Sequence, residues 1–353
     1  LLIWTVVYYT SLFSLELNLQ AGTGLTLGAL GRKFSGKYAG IIGTSCFIAL
    51  AYSLLCVYLN GGSSVIKDMI GFWYKTDVDF VTVTSLYSIV TVLILTLPFK
   101  LIDYLNRIMF ISLLSVIGLL ILGLLTKIEW SNLPIYTEKS EELSLWRESI
   151  PVVFTAFGFQ VIFHSLTNYC NNDVKMLRRA FFWGSLIPAL IYFTWNFSIL
   201  SAIYQENPEF YSKMLVGDIQ VGQLVKALSE IAGSSFVQML IWWISLLTIY
   251  TSVIGVGNAL HRSVMKFIPN NFISAIITIL PAFVISTMIP DAFIKVLGFA
   301  GMILVVIAIL MPAYLLTKVK ISFYGELKYK SLIIIVILIG IVIIICEILN
   351  MLF

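Results

Sequence analysis

Charged residues are scarce in this chain. Asp, Glu, Lys and Arg make up only 11% of its 353 residues, whereas a soluble domain carries roughly 25%. Hydrophobic residues make up 59%, and the mean hydropathy is +0.99. This shortage of charge excludes an ordinary soluble domain, and the lack of basic runs excludes a nucleic-acid-binding protein. The composition therefore predicts a protein embedded in a lipid bilayer.

Signatures of common enzyme chemistry are missing as well. The sequence has no H-E-x-x-H zinc motif, no G-x-S-x-G nucleophile turn and no glycine-rich phosphate loop. Its cysteines show no C-x-x-C spacing, which favours inert thiols over a metal site or disulfides. They are Cys46, Cys56, Cys170 and Cys346. We therefore expect no cofactor, no metal and no enzymatic activity.

Long apolar stretches dominate what is present. A bilayer core requires about 20 apolar residues per helix, and ten stretches meet this length approximately. We name them segments a to j: 1–18, 38–59, 82–98, 108–125, 150–169, 180–204, 236–260, 272–289, 293–316 and 332–351. The pattern predicts an all-α polytopic membrane protein with a single transmembrane domain over residues 1–353.

Positive charge predicts the orientation. The short connections after segments a, c, e, g and i hold 14 of the 22 Lys and Arg residues, and such loops face the cytoplasm. We therefore expect Arg32, Arg178 and Lys320 inside and the carboxy terminus outside. Segment a must then run inward, so we expect an earlier spanning helix before Leu1, eleven in all.

Segment e is unusual for a spanning segment. "FTAFGFQVIFHSLTNYCNN", residues 154–172, places Gly158 between two phenylalanines near the expected midplane, with polar residues following. Backbone breaks in hydrocarbon survive only against protein or a watery cavity, and transporters use such breaks to hold substrates. Gly158 indicates either an interrupted helix at a substrate site or a close helix–helix contact.

Several stretches of the sequence resemble one family. They are "PVVFTAFGFQ" (151–160), "NNDVKMLRRAFFWGSLIPALIYFTW" (171–195), "SLELNLQAGTGLTLGALGRKFSGKYAG" (14–40) and, more loosely, residues 51–66 and 250–260. Together they resemble the bacterial tyrosine and tryptophan permeases, the hydroxy/aromatic amino acid permeases of the amino acid–polyamine–organocation superfamily. The chain departs from the family pattern at Gln160, where His is common, and at His164, where Pro is frequent.

The resemblance implies a fold and a function. The fold is a leucine-transporter-like one of inverted five-helix repeats with discontinuous helices. Residues 1–125 would be the remainder of the first repeat, 150–316 the second and 332–351 an extra helix. The first helix would then lie before the chain, and segment e would be the sixth. The implied function is import of tyrosine, tryptophan or phenylalanine across the bacterial cytoplasmic membrane by proton symport, with no indication of oligomeric state.

The resemblance also implies substrate-binding residues on three segments. Segment e would hold the backbone groups of the amino acid together with the first helix, and segments b and g are weaker candidates. The residues are Thr155, Ala156, Phe157, Gly158, Phe159, Gln160, Tyr52, Ser53, Ser245 and Thr248. Gln160 suits a hydrogen bond to a phenol or indole, and equally an amide satisfied between helices.

Two pairs of residues are candidates for coupling. Thr251 and Ser252 resemble the cation site of sodium-coupled relatives, but such hydroxyls also bond routinely to the carbonyl four residues earlier. A proton symporter needs a titratable group instead, and Glu16 and His164 are the candidates, each with a structural alternative: an interfacial charge and a packed ring. Glu347 is expected to extend its carboxylate to the interface. Proton coupling, general in the family, is favoured, and sodium coupling stays the alternative.

A rival from another class is a membrane-embedded transferase. His164 would act as its base, with Asn168 one turn further along the segment. Such an enzyme needs a second catalytic group facing the same cavity, and the sequence offers none. Transport therefore leads over catalysis.

Overall fold

The computed structural model is built from α-helices. It describes residues 2–22, 24–125, 142–159, 166–167, 169–170, 173–216, 219–232, 234–289, 293–319 and 326–352, with backbone alone at 120–125 and 326–329. No strand occurs among these residues. The helices are α1 Leu2–Ala21, α2 Leu27–Ser35, α3 Lys37–Tyr74, α4 Phe80–Leu95, α5 Phe99–Leu125, α6 Leu143–Thr155, α7 Val174–Glu206, α8 Pro208–Val216, α9 Val221–Ile231, α10 Ser235–Met265, α11 Asn271–Met288, α12 Phe293–Val305, α13 Met311–Leu316 and α14 Glu326–Leu352. A π-helical turn, Val306–Leu310, joins α12 to α13.

Seven stretches of helix are long and apolar enough to cross a bilayer. They are Lys37–Tyr74, Phe99–Leu119, Val174–Glu206, Ser235–Met265, Asn271–Met288, Phe293–Leu316 and Lys330–Leu352. They overlap segments b, d, f, g, h, i and j, and several of them extend beyond the predicted bounds. Segments a and c form the helices α1 and α4. The predicted all-α polytopic membrane protein is confirmed.

Polar side chains define where several helices begin. The side chain of Asp79 accepts a hydrogen bond from the Thr82 amide at 3.1 Å, which caps α4. Asn270 accepts one from the Ile273 amide at 3.0 Å and caps α11. Each cap satisfies a backbone donor that has no partner within the first helical turn. The two caps therefore define the first turns of α4 and α11.

The chain divides into two compact units. The first contains Leu1–Leu50, Glu138–Ile191 and Leu297–Phe353, and the second contains Ala51–Thr137 and Tyr192–Val296. Within the first unit α6 packs against α14, and α1 packs against α13. Within the second unit α10 packs against α5, and α4 packs against α11. Segment e contributes α6 to the first unit, and segment g forms α10 in the second.

Each unit has its own apolar core. In the first unit Leu12 and Leu15 of α1 pack with Leu177 and Phe181 of α7. In the second, Trp242 of α10 lies in a cluster with side chains from α3, α7 and α9. Close packing of this kind supplies the attraction between helices in lipid, where apolar burial alone supplies little.

Candidate functional site

Segment e is interrupted at the predicted position. Helix α6 ends at Thr155, and the residues from Ala156 to Gly158 form a turn. The Ala156 amide still donates to the Val152 carbonyl, at 3.1 Å, but the Gly158 amide donates to Thr155, at 3.0 Å. The Phe159 amide donates to a carbonyl only two residues back, that of Phe157, at 2.9 Å. Helix α6 therefore ends at Thr155 in a tightened turn, inside the apolar stretch 150–169.

Thr155 holds the end of α6 against α12. Its hydroxyl lies 2.8 Å from the Pro151 carbonyl oxygen and 3.1 Å from the Leu297 carbonyl oxygen, and the residue is buried. Gly301 of α12 lies alongside, since a β-carbon there would come within 2.7 Å of both the Pro151 carbonyl and the Thr155 hydroxyl. The α12 backbone thus passes directly by the last turn of α6. This contact fixes the point at which the helix stops.

Gly158 allows a neighbouring helix to come close, and it does not adopt an unusual backbone angle. It is not among the glycines with positive φ. A β-carbon at this position would lie 3.1 Å from the Thr155 carbonyl oxygen and 3.4 Å from a methyl carbon of Leu304 on α12. The helix thus ends before Gly158, and this glycine lies close to a neighbouring helix.

The residues beside Gly158 differ in their surroundings. Ala156 is exposed and Phe157 is buried. Phe159 is half-buried and packs against the core cluster that contains Leu12 and Phe181. Of the remaining candidates on this segment, Gln160 and His164 lie outside the described residues.

The four candidate hydroxyl residues of α10 each donate to a carbonyl of their own helix. Ser245 donates to the Ile241 carbonyl at 2.9 Å, and Thr248 donates to the Ile244 carbonyl at 2.7 Å. Thr251 donates to the Leu247 carbonyl and Ser252 donates to the Thr248 carbonyl, both at 2.8 Å. Each of these four acceptors lies four residues before its donor. Helix α10 runs without a break from Ser235 to Met265. This geometry is the one expected of structural hydroxyls in a membrane helix.

Helix α3 carries a tyrosine that the sequence analysis missed. Tyr52, a predicted site residue, donates from its hydroxyl to the Ile277 carbonyl of α11 at 3.1 Å, and the neighbouring Ser53 is half-buried. Tyr58 forms a side-chain hydrogen bond with Ser252 of α10. The signal was its position six residues after Tyr52 in the same apolar segment. Ser252, a candidate coupling residue, is thus hydrogen-bonded to the phenol of Tyr58 within the second unit.

Glu16 is a buried carboxylate. It is 3% exposed in α1, and Gln20 donates to it from one turn further along the helix at 3.0 Å. An interfacial charge would be exposed, and Glu16 is not. It leaves the coupling alternative for Glu16 in place.

Comparison with known proteins decides the family. A model described as the tryptophan/tyrosine permease family matches residues 1–347. The chain belongs to this family. Its membership agrees with the resemblance on which the predicted site rests, and with the multi-pass helical structure.

Individual relatives of this permease family cover nearly the whole chain. The "Tyrosine-specific transport system 1" of Haemophilus influenzae is 28% identical, over 93% of this chain and 81% of the relative. The "Tryptophan-specific transport protein" of Pseudomonas aeruginosa is 24% identical, over 94% and 80%. The "Glutamine transporter 2" of Aliivibrio fischeri is 23% identical, over 88% and 78%. The names of these relatives include two aromatic amino acids and one that is not aromatic.

Proposed function

We propose that this protein is a secondary active transporter that imports aromatic amino acids, with tyrosine, tryptophan and phenylalanine as the substrate class. The observation that carries the proposal is the interruption of segment e at Thr155–Gly158 in a chain of the tryptophan/tyrosine permease family. Backbone groups at an interrupted helix can be directed at the carboxylate and amine of an amino acid. Phe157 and the segment around Gln160 would then lie beside the substrate side chain.

The proposed substrate site rests on the fixed end of α6. Thr155 anchors this end to α12, so the turn from Ala156 to Gly158 keeps a defined position. A rigid backbone suits recognition of the groups that every amino acid shares. The side chains that follow would distinguish one amino acid from another. We propose the leucine-transporter-like inverted repeat as the fold that brings the interrupted helices together.

We propose that a proton gradient drives uptake. The hydroxyls of Thr251 and Ser252 are engaged with carbonyls of an unbroken helix, an arrangement that gives a sodium ion no freed backbone carbonyls to bind. Glu16, a buried carboxylate, is a titratable alternative, as is His164. Sodium coupling is the outcome that the transport experiment must be able to detect.

Uptake in proteoliposomes tests the proposal. Radiolabelled tyrosine, tryptophan and phenylalanine would each be offered with a pH gradient, with a sodium gradient and with neither, and unlabelled glutamine would be the competitor. We expect saturable accumulation of at least one aromatic amino acid that needs the pH gradient and resists glutamine. Accumulation driven by sodium alone would contradict proton coupling. Stronger competition by glutamine than by any aromatic amino acid would contradict the substrate class.

We further propose that the protein lies in the bacterial cytoplasmic membrane with its carboxy terminus outside. Arg32 and Arg178 lie in connections that we place in the cytoplasm because Lys and Arg concentrate there. Single cysteines at 32 and 178, in a variant without its four natural cysteines, should resist an impermeant thiol reagent in intact cells. Labelling of either from outside would contradict this orientation. Lys320, which has the same predicted side, lies outside the described residues.

A further inference from the structure

Glu347 lies on the buried face of α14. Residues that are buried or tightly packed recur along this helix at spacings of four, three and four: Val336, Gly340, Ile343 and Glu347. Glu347 is only 3% exposed, whereas Ile345 and Ile348 beside it are 49% and 45% exposed. The expectation that its carboxylate extends to the interface is therefore wrong. The side chain points into the first unit instead.

A glycine makes room for this carboxylate. A β-carbon at Gly298 of α12 would overlap both carboxylate oxygens of Glu347. Its hydrogen bond within the described part of the chain is a long one, from the side-chain amide of Asn350 at 3.4 Å. The carboxylate is thus enclosed by backbone and by one neutral donor.

Asn350 separates the carboxylate from a positive charge. The Arg147 guanidinium on α6 donates to the side-chain oxygen of Asn350 at 2.7 Å, and the Asn350 amide also donates to the Arg147 carbonyl at 3.2 Å. The ion pairs within 4.0 Å found in the described residues, Lys67–Asp77, Arg107–Asp103 and Lys213–Glu209, do not include Glu347. One amide therefore stands between Glu347 and the nearest guanidinium.

In the part of the chain that the structure describes, the packed elements bring few other titratable groups near Glu347. Cys346 precedes Glu347 on α14, and on α6 Glu148 is exposed. On α12 the residue facing the carboxylate is Gly298, and Lys295 on that helix is exposed. The π-helical turn that also packs on α14 has only apolar residues, Val306–Leu310. Arg147 is thus the charged group placed to act on Glu347.

This arrangement suits a group that exchanges a proton. Among the described residues, a charged carboxylate here would be buried with one neutral donor and without a counter-ion, a cost that carboxyl groups relieve by taking up a proton. If Asn350 moved aside, Arg147 would reach Glu347, and the resulting ion pair would favour the charged form. Arg147 lies on the same helix as Thr155, eight residues earlier, so about 12 Å at 1.5 Å per residue. A displacement of the end of α6 would therefore also displace Arg147.

We propose that Glu347, Asn350 and Arg147 form a proton-binding site of the transport cycle. Glu347 takes a proton from water and holds it in the arrangement seen here. It releases that proton to water when Arg147 replaces Asn350 as its partner. This inference rests on the proposed proton-coupled transport and adds the group that binds the proton.

Glu347→Gln tests the site because it keeps the size of the side chain and removes its titration. In proteoliposomes we expect exchange of internal for external substrate, without any gradient, to persist at the parent rate. Accumulation driven by a pH gradient should fall to the level without a gradient. The matched control is Glu209→Gln, since the Glu209 side chain is 83% exposed, and it should accumulate substrate like the parent.

Three outcomes would overturn the inference. Accumulation by Glu347→Gln equal to that of the parent would show that another group binds the proton. Loss of exchange together with accumulation, in a folded protein, would assign Glu347 a purely structural role. A parent without pH-driven uptake would remove the proposed coupling and this site together, which distinguishes that failure from the first two.

A second variant covers the case in which Glu347→Gln does not fold. Arg147→Gln removes the charge that favours proton release, so release should require a higher pH. We expect the pH profile of substrate exchange to move to higher pH than in the parent. An unchanged profile would contradict the site.

Discussion

Helices α6 and α10 both carry hydroxyl residues within apolar sequence, yet they use them differently. In α6 the Thr155 hydroxyl reaches another helix, at the Leu297 carbonyl, and the helix ends there. In α10 Thr251 and Ser252 donate to carbonyls of their own helix, which continues for more than ten further residues. The comparison teaches that a hydroxyl in an apolar helix accompanies a helix end here where it reaches the backbone of a second helix, and not where it donates only to backbone of its own helix.

The largest expected effect comes from filling the space at Gly158. Leucine there would collide with the Thr155 carbonyl and with Leu304, which already lie 3.1 and 3.4 Å from a β-carbon. We expect Gly158→Leu to reduce uptake by about 100-fold, because a displacement of about 1 Å at a binding site has effects of this size. Expression should stay near that of the parent, as measured by quantitative blotting of membranes.

The control for this prediction is a glycine of the other helix. A β-carbon at Gly255 in α10 would meet no atom within 4 Å, so Gly255→Leu should transport like the parent. Parent-level uptake by Gly158→Leu would show that the interruption does not form the substrate site.

A smaller effect is expected from the hydroxyl that joins α6 to α12. Thr155→Val keeps the shape of the side chain and removes its hydrogen bonds to Pro151 and Leu297. We expect a loss of about 1–3 kcal/mol of stability, the usual cost of leaving a buried polar group without its partner. Uptake should fall as well, because the end of α6 loses its anchor. Thermal unfolding in detergent and initial uptake rates measure the two effects.

Two further variants sharpen this test. Thr155→Ser restores a hydroxyl and should recover most of the stability and uptake. Thr84 is also buried, but its hydroxyl donates at 2.8 Å to Phe80 within its own helix, so Thr84→Val should cost less than Thr155→Val. Equal losses in the two valine variants would mean that the link to α12 has no special role.

The sequence was sufficient to predict most spanning helices, and it singled out the neighbourhood of Gly158, where α6 ends, while leaving two interpretations of that glycine open. It placed the ends of the helices less well where a helix continues outside the apolar stretch. Helix α5 begins at Phe99 rather than 108, and α6 begins at Leu143, because Lys100 and Arg147 are good helix formers although they are not apolar. Hydropathy finds the part of a helix that lies in lipid, and it cannot find the polar turns that extend from it.

The surroundings of individual polar residues could not be predicted. Glu347 sits near the end of an apolar segment, as an interfacial charge would, and the packing of α14 against Gly298 puts it inside instead. Tyr58 was passed over because a tyrosine in an apolar stretch is ordinary, and its contact with Ser252 depends on how α3 meets α10. Both cases depend on which face of a helix packs on which neighbour. That information comes from tertiary structure.

The smallest expected effect concerns Thr251 and Ser252. Their hydroxyls donate to carbonyls that already serve the helix, so Thr251→Ala with Ser252→Ala removes little stabilisation. We expect pH-gradient-driven uptake within about twofold of the parent, as for substitutions that change stability by about 0.5 kcal/mol or less. Sodium should have no effect on either protein.

The single variant Thr251→Ala is the control, because Ser252 also contacts Tyr58. It removes one hydroxyl and keeps the Ser252–Tyr58 contact, so a defect found only in the double variant can come from losing that contact. Uptake that requires sodium in the parent and vanishes in the double variant would make the pair a cation site. Helices α6 and α10 would then both hold a binding site, α6 for the substrate and α10 for the cation.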